Sequence, residues 1–405
     1  METQTDIGSM NRKQFIILIV LVVVIGGAAW RHHHDQTASW NNSNPQLGGK
    51  LLGNFQVNDV AQIRIAQGEN EVVLLKTNDL WRVGERGNYP ADFSKISQFL
   101  IKLGDLKIVQ TMEAGPSQWA RLDLATSGQG TNSATVLEFF DASGKPIQTL
   151  LLGKNHIHES QQVSTEGENE NWPDGRYVLT STNSTTVAVI SDALSEVSSP
   201  VSQWLDKTFF KVEKPQSISV NYPAATNSWE LFRDSETNDW KLTDAKPDEK
   251  LDDSQTSIIA NALSSPNFND VAIDLKPAQT GLDKPTRVEI KTLDGFDYSI
   301  NVGLQTNDNY YFALDKITGT FPMERQPEKD EKPQDKTARD KAFQDNLKKL
   351  QDKLAQESAL TNWIYEVPGW SLDSLLKKRS QLLVAKPAAT ETNAPTANTT
   401  ELSKP

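Results

Sequence analysis

Apolar positions along this chain fall into three kinds of pattern. The first has no polar interruption: residues 15–25 are Phe, Ile, Leu and Val throughout, and Gly26-Gly27-Ala28-Ala29-Trp30 follows. Arg12 and Lys13 stand just before it. An apolar run behind two cations is a membrane-targeting segment, and cations on its amino side keep the short amino terminus inside. The second pattern alternates. Ile63 and Ile65 alternate with Gln62 and Arg64, Val73 and Leu75 continue the theme, and Trp81-Arg82-Val83 follows the polar turn Thr77-Asn78-Asp79. These are half-buried strands. The third repeats at helical spacing. Asp92 is a good N-cap for a helix with Ile96, Phe99, Leu100 and Leu103 at i, i+3, i+4 and i+7. Strands then resume at 107–112 and 135–140, and Asp141-Ala142-Ser143-Gly144 turns the chain into a hairpin over 147–152.

The same order recurs. Residues 217–220 start a strand, 229–232 and 239–242 echo 73–76 and 80–83, and Leu251-Asp252-Asp253 opens a helix with Ile258, Ile259, Ala262 and Leu263 on one face. Residues 287–293, the two-residue turn Asp294-Gly295 and residues 296–302 repeat the hairpin. Trp81 and Trp240 are 159 residues apart, as are Leu100 and Ile259; Gly153 and Gly303 are 150 apart, and Tyr177 and Tyr311 are 134 apart. The spacing holds from strand to helix and then shrinks as the second unit loses loop residues. The reading is a tandem duplication of one α+β unit, against two unrelated mixed domains.

Between the units, residues 191–205 read as a short helix broken at Pro200 and ending at Trp204. Beyond Phe321 the character changes. Residues 328–336 are rich in charge and proline, Phe343, Leu347, Leu350 and Leu354 follow a helical stripe, Trp363-Ile364-Tyr365 and Val367 look strand-like, and residues 372–383 read as a cationic amphipathic helix. The helical stripe is expected to dock back on its own domain rather than on a partner. The expected fold class is α+β, two tandem duplicated antiparallel-sheet-plus-helix units after an N-terminal transmembrane helix, with a C-terminal helical segment. The boundaries are 1–31 for cytoplasmic stub and anchor, 32–54 for a flexible tether, 55–205 and 206–325 for the two units, 326–384 for charged linker and amphipathic helices, and 385–405 for a disordered Ala-, Thr-, Asn- and Pro-rich tail.

The anchor, Phe15 to Trp30, has 16 residues. A bilayer core wants about 20 helical residues, so Gln14 and a snorkelling Arg31 complete the span. The Trp30 indole suits a membrane interface and favours retention. Gly27 and Ala29 also fit a signal-peptidase cut before Trp30, which leaves a cleaved signal open. Met10-Asn11-Arg12-Lys13 reads like a natural start, so both Met1 and Met10 are candidates for initiation. The expected address is the bacterial inner membrane, single-pass, with the bulk of the chain periplasmic.

Composition narrows the chemistry. The 405 residues carry 41 Lys+Arg against 53 Asp+Glu, a net charge of −12, and no basic stripe beyond the anchor flank, so nucleic acid is not an expected partner. Cysteine is absent. That removes disulfides, thiolate catalysis, Cys-type zinc sites and a lipidated cysteine, and attachment must come from the apolar run itself. His32-His33-His34 are imidazoles on a tether with only Asp35 nearby, too few ordered ligands for a site. His156 and His158 share one face of an extended segment, with no acidic pattern around them, and read as a strand end. Gly-x-Ser-x-Gly, His-Glu-x-x-His and phosphate-loop signatures are missing. A carboxylate pair of the glycosidase kind stays open among the many Asp and Glu. Among the ten Trp, Trp81 and Trp240 are expected in the core; Trp172 and Trp229 are less constrained, and Trp172 is a weak candidate for sugar stacking. No catalytic, cofactor-binding or metal-ligating residue is assigned, and no cofactor is expected.

Taken together, the apolar start, Leu80-Trp81-Arg82-Val83, Tyr89-Pro90-Ala91-Asp92, the helix, Leu151-Leu152-Gly153-Lys154, Arg176-Tyr177-Val178 and Trp204-Leu205-Asp206-Lys207 resemble bacterial proteins that carry domain of unknown function 4340. The resemblance spans most of 60–314, with 375–380 as an outlying segment, while residues 155–172 and the charged stretch near Glu328 depart from it. These motifs are structural signatures. The resemblance implies a membrane-anchored exported protein, similar in setting to accessory parts of ABC-type transport systems of the gliding-motility kind, and implies no catalytic residue. The leading expectation is therefore a non-enzymatic scaffold or accessory subunit with ABC-type transporter subunits as partners and its oligomeric state open. A glycan- or peptide-binding envelope module and a hydrolase without a visible site are the other classes.

Overall fold

The computed structural model describes residues 47–126, 133–158, 172–180, 185–198, 200–327 and 331–384. It is an α+β protein with two antiparallel sheets. The anchor Phe15 to Trp30, the triple histidine at 32–34 and the tail from 385 lie outside the described residues. Among the described residues no helix is long and apolar enough to cross a membrane. The chain divides into two compact units, Met1–Val72 with Ser97–Ser199, and Val73–Ile96 with Pro200–Pro405.

In the first unit, β1 (Gln62–Gln67) hairpins onto β2 (Asn70–Thr77), of which Asn70–Val72 belongs to this unit. The other strands are β5 (Ile108–Glu113), β6 (Thr135–Phe140), β7 (Pro146–His158), β8 (Trp172–Leu179) and β9 (Thr186–Ile190), laid side by side in the order β2-β1-β6-β7-β8-β9-β5. Ile63 and Ile65 are buried as alternation requires. In β2 the buried pair is Val72 and Leu74 rather than Val73 and Leu75: a β-strand has two faces, and the polar neighbours Glu71 and Lys76 do not fix which of them turns inward. In β7, Leu150, Leu151 and Leu152 are all buried. Leu151 joins Leu122, Leu124, Leu179 and Val187 in one cluster, so this part of the sheet is covered on both faces. The ladder already begins near residue 48, where Gly48 N and Leu51 N donate to Ile108 O and Leu106 O, both at 2.8 Å.

The helix α1 (Phe93–Asp105) forms where the period placed it. The Asp92 carboxylate accepts from Lys95 N at 3.0 Å, and Ile96, Phe99, Leu100 and Leu103 are each 4% exposed or less. Two single turns, Ser195–Ser198 and Val201–Trp204, replace the broken helix, with Pro200 capping the second.

The second unit holds β3 (Leu80–Val83), which pairs with the rest of β2, and β4 (Tyr89–Pro90), which pairs with β3. Its larger sheet consists of β10 (Pro215–Asn221), β11 (Trp229–Phe232), β12 (Lys241–Leu242), β13 (Asp270–Ala272), β14 (Thr286–Thr292), β15 (Phe296–Thr306), β16 (Asn309–Gly319) and β17 (Ile364–Pro368), in the order β12-β11-β10-β14-β15-β16-β17-β13. Strand for strand, β11-β10-β14-β15-β16-β17-β13 repeats the order of the first unit. The ladders also slip at matching points, between Leu152 and Asn155 in β7 and between Val302 and Gln305 in β15.

The β14–β15 hairpin closes on the three residues Leu293-Asp294-Gly295, because Gly295 N bonds back to Thr292 O and Gly295 takes φ 89°, the geometry of a turn followed by a left-handed residue. In α2 (Asp253–Asn261), capped by Asp252, the inward face is Thr256, Ile259 and then Leu263, while Ile258 is 51% exposed. Trp240 is not core: it lies half-buried under the Arg233 guanidinium at 4.7 Å. Trp229 is core at 4% exposure, and its indole N–H donates to Lys377 O at 2.6 Å. Residues 372–383 are not a helix. After the turn Gly369–Leu372 the chain runs irregularly to the turn Arg379–Leu382, its backbone carbonyls taken by Tyr222 and Trp229 and its Arg379 by Glu249 at 2.7 Å.

The helix α3 (Pro333–Ser358) docks on its own unit through Leu347 and Glu357. Lys353 reaches Lys211 O and the Glu213 carboxylate. Glu357, 5% exposed, accepts from Lys211 N and from the Tyr298 hydroxyl, both at 2.9 Å. Burial pushes its carboxyl up from the ordinary value.

Candidate functional site

The densest set of perturbed ionisable groups sits in the second unit, where the 73–96 strap meets β13 and β17. The strap turns at Gly84–Arg86, with Gly87 left-handed at φ 62°, and this turn delivers Arg86. Its guanidinium grips Asp270 with two parallel bonds, Nε to Oδ1 at 2.7 Å and Nη2 to Oδ2 at 2.8 Å. Asp270 stands directly across the ladder from Glu366. Burial and the neighbouring Asp270 push the Glu366 carboxyl up, against the pull of Arg86. Lys207 lies over the Phe268 ring at 4.4 Å and donates to Asn269 O at 2.7 Å, and burial draws its ammonium down.

Three residues beyond Arg86, Tyr89 is 1% exposed and packs edge-on to Trp363, Phe268 and Tyr365 at 5.0, 5.8 and 6.1 Å between ring centres. Tyr89 and Tyr365 share a hydrogen bond, and burial pushes the Tyr89 hydroxyl up to about 12. The charged donors of this cluster are spent on carbonyls and on Asp270, so its chemistry is that of a fastening: it fixes a strap to β13, 184 residues later between Arg86 and Asp270, and to β17 beyond it.

The histidine pair divides. His156 Nδ1 lies 2.6 Å from Asp174 Oδ1 across the β7–β8 ribbon, a contact that orients the ring. Asp174 is 18 residues later in sequence, and only the fold of the ribbon brings it back. His158 pairs with Trp172 across the same ladder, and Trp172 is 48% exposed. Among the described residues no three His, Asp or Glu side chains are grouped to hold a metal ion.

A third feature was not legible from sequence. Between α2 and the turn Gly369–Leu372 runs an open groove of about 470 Å³, lined by Ser257, Ile258, Asn261, Ala262, Trp370, Ser371 and Ser374. Trp370 is 71% exposed. Its only signal in the sequence is a lone Trp after Pro368-Gly369, where the polypeptide leaves a strand.

A family model described as a domain of unknown function (DUF4340) matches residues 81–285, just over half of the chain. No curated protein and no solved structure matches it. The matched span begins at Trp81 on β3, takes in the rest of the strap, α1, the Ser97–Ser199 part of the first unit and the second unit as far as α2 and β13, and so covers the fastening between Arg86 and Asp270. The chain belongs to the DUF4340 family.

Proposed function

We propose that this protein is a membrane-anchored, non-enzymatic accessory subunit of an ABC-type transport assembly, held at the bacterial inner membrane by Phe15 to Trp30, with the two α+β units outside the cytoplasm. The observation that carries this reading is the fastening of the strap. Three ionisable groups of the second unit with shifted protonation, Arg86, Lys207 and Glu366, surround a contact that locks distant chain segments together, and Tyr89 and Tyr365 seal it. Such a build suits a rigid extracytoplasmic module whose work is to hold a position. The matching strand orders and the matching slips in β7 and β15 support descent of the two sheets from one duplicated α+β unit. The duplicated reading in turn suits a scaffold that offers two related surfaces.

The test is recovery of the tagged full chain from membranes in mild detergent, followed by mass spectrometry of what accompanies it. The reading expects integral and ATP-binding subunits of one transporter in constant proportion to the chain. A chain found in the soluble fraction, or one recovered from membranes without such subunits, contradicts it.

A further inference from the structure

We infer that the groove between α2 and the Gly369–Leu372 turn is a binding site for a neutral saccharide, with Trp370 as its stacking platform. The inference stands apart from the transporter reading and rests on different residues. The indole is presented by a fixed piece of backbone. Gly369 N donates to Asp308 O at 2.7 Å, Asp373 N donates to Gly369 O at 2.8 Å, and Leu372 and Leu375 on the far side of the turn are fully buried. An aromatic ring 71% exposed on so constrained a turn gains nothing for the fold from its position. Ile258, 51% exposed on α2, forms the opposite wall.

The polar groups between these walls select the ligand. Ser257, Asn261, Ser371 and Ser374 are all neutral, and among the described residues no charged side chain lines the groove, in a chain of net charge −12. An ionic ligand would find no counter-charge there. Asn261 Nδ2 donates to Ser257 O at 2.8 Å, which leaves its Oδ1 to accept, and Ser257 Oγ donates to Asp253 O at 2.9 Å, which leaves lone pairs to accept. An apolar helix seated here would bury those acceptors without donors, at a cost in free energy. A pyranose ring does not: its C–H face lies on the indole while its rim of hydroxyls donates to the amide and serine oxygens.

The experiment is calorimetric titration of the full chain in detergent with a panel of neutral tetrasaccharides, β-glucan, chito- and malto-linked, and with one uncharged amphipathic peptide. The inference expects a tetrasaccharide to bind, Trp370→Ala to weaken it at least tenfold, Asn261→Leu to weaken it as well, and Trp172→Ala to leave it unchanged. Because Trp370 and Asn261 are not core residues, unchanged thermal unfolding of each variant separates lost binding from lost fold. Failure of the whole panel, binding untouched by Trp370→Ala, or binding of the peptide in place of the sugars overturns it.

Discussion

Gly153 and Gly303 hold the same place in the two sheets. In each, a methyl group on the glycine would overlap a backbone carbonyl oxygen, that of Leu122 beside Gly153 and that of Thr280 beside Gly303. Each carbonyl is followed by a residue in the left-handed region, Asp123 at φ 56° and Gly281 at φ 72°, and then by a leucine, Leu124 or Leu282, that also crowds the glycine. The 150-residue spacing noticed in the sequence thus marks a shared close approach between a strand and a helical turn.

Gly153→Ala and Gly303→Ala are therefore expected to destabilise the protein by similar amounts, about 3 kcal/mol each by the usual cost of overpacking against a backbone that cannot move. Denaturant midpoints of the two variants check this. A loss at one glycine and none at the other would break the correspondence between the sheets.

The Arg86–Asp270 pair is about a quarter exposed on each side. Solvent screening trims its worth, yet removing one partner strands a partly desolvated charge, so Arg86→Ala is expected to cost about 1–3 kcal/mol. The loss should be local first. Amide exchange over residues 80–92 is expected to quicken before that of β14 and β15, and uniform acceleration across the second unit would show that the strap is not separately fastened.

How legible was this architecture? The helix α1, the strand β11 and the β14–β15 hairpin could be read because their signals are local: a cap at Asp92, a short apolar run, a turn. The phase of β2 and the outward side of α2 could not, since both turn on which of two adjacent apolar residues meets the core, Val72 or Val73, Ile258 or Ile259. Residues 372–383 misled for a further reason. Leu372, Leu375 and Leu382 are spaced as a helix would space them and are fully buried, but the hydroxyl of Tyr222, the indole of Trp229 and the carboxylate of Glu249 hold this segment in an irregular path. Arg86 and Asp270 are 184 residues apart, and nothing in either neighbourhood names the other. The groove at Trp370 is invisible for the same reason, because its two walls come from separate parts of the chain.

Arg176 is 6% exposed, and among the described residues no carboxylate pairs with it. Its guanidinium instead donates to Gly153 O at 2.7 Å and, at longer range, to Ala193 O, Leu194 O and the Thr135 hydroxyl. Burial draws its pKa down. The side chain thereby closes the slip in β7. Arg176→Met leaves those carbonyls unpaired and is expected to cost about 2–3 kcal/mol, read from thermal or denaturant unfolding. Stability equal to the parent would show that solvent can take the place of the guanidinium.

Glu357 supplies a pH dependence of defined sign. Its carboxyl is raised in the folded protein above the ordinary 4.5, so the folded state binds the proton more tightly than the unfolded chain. The stability it contributes is fully present below pH 4.5 and is lost as pH rises through the folded value. Glu357→Gln keeps a carbonyl oxygen for Lys211 N and does not ionise. The variant is expected to gain on the parent protein as pH is raised from 5 to about 7.5. A gain that grows toward acid would reverse the assignment.

The most direct measurement is in-cell crosslinking of the full chain, with crosslinked peptides identified by mass spectrometry. The account expects crosslinks from both α+β units to extracytoplasmic loops of one ABC transporter, lost when residues 1–31 are deleted and the chain leaves the membrane. Crosslinks only to soluble proteins, or a chain that stays in the membrane fraction without residues 1–31, would contradict it.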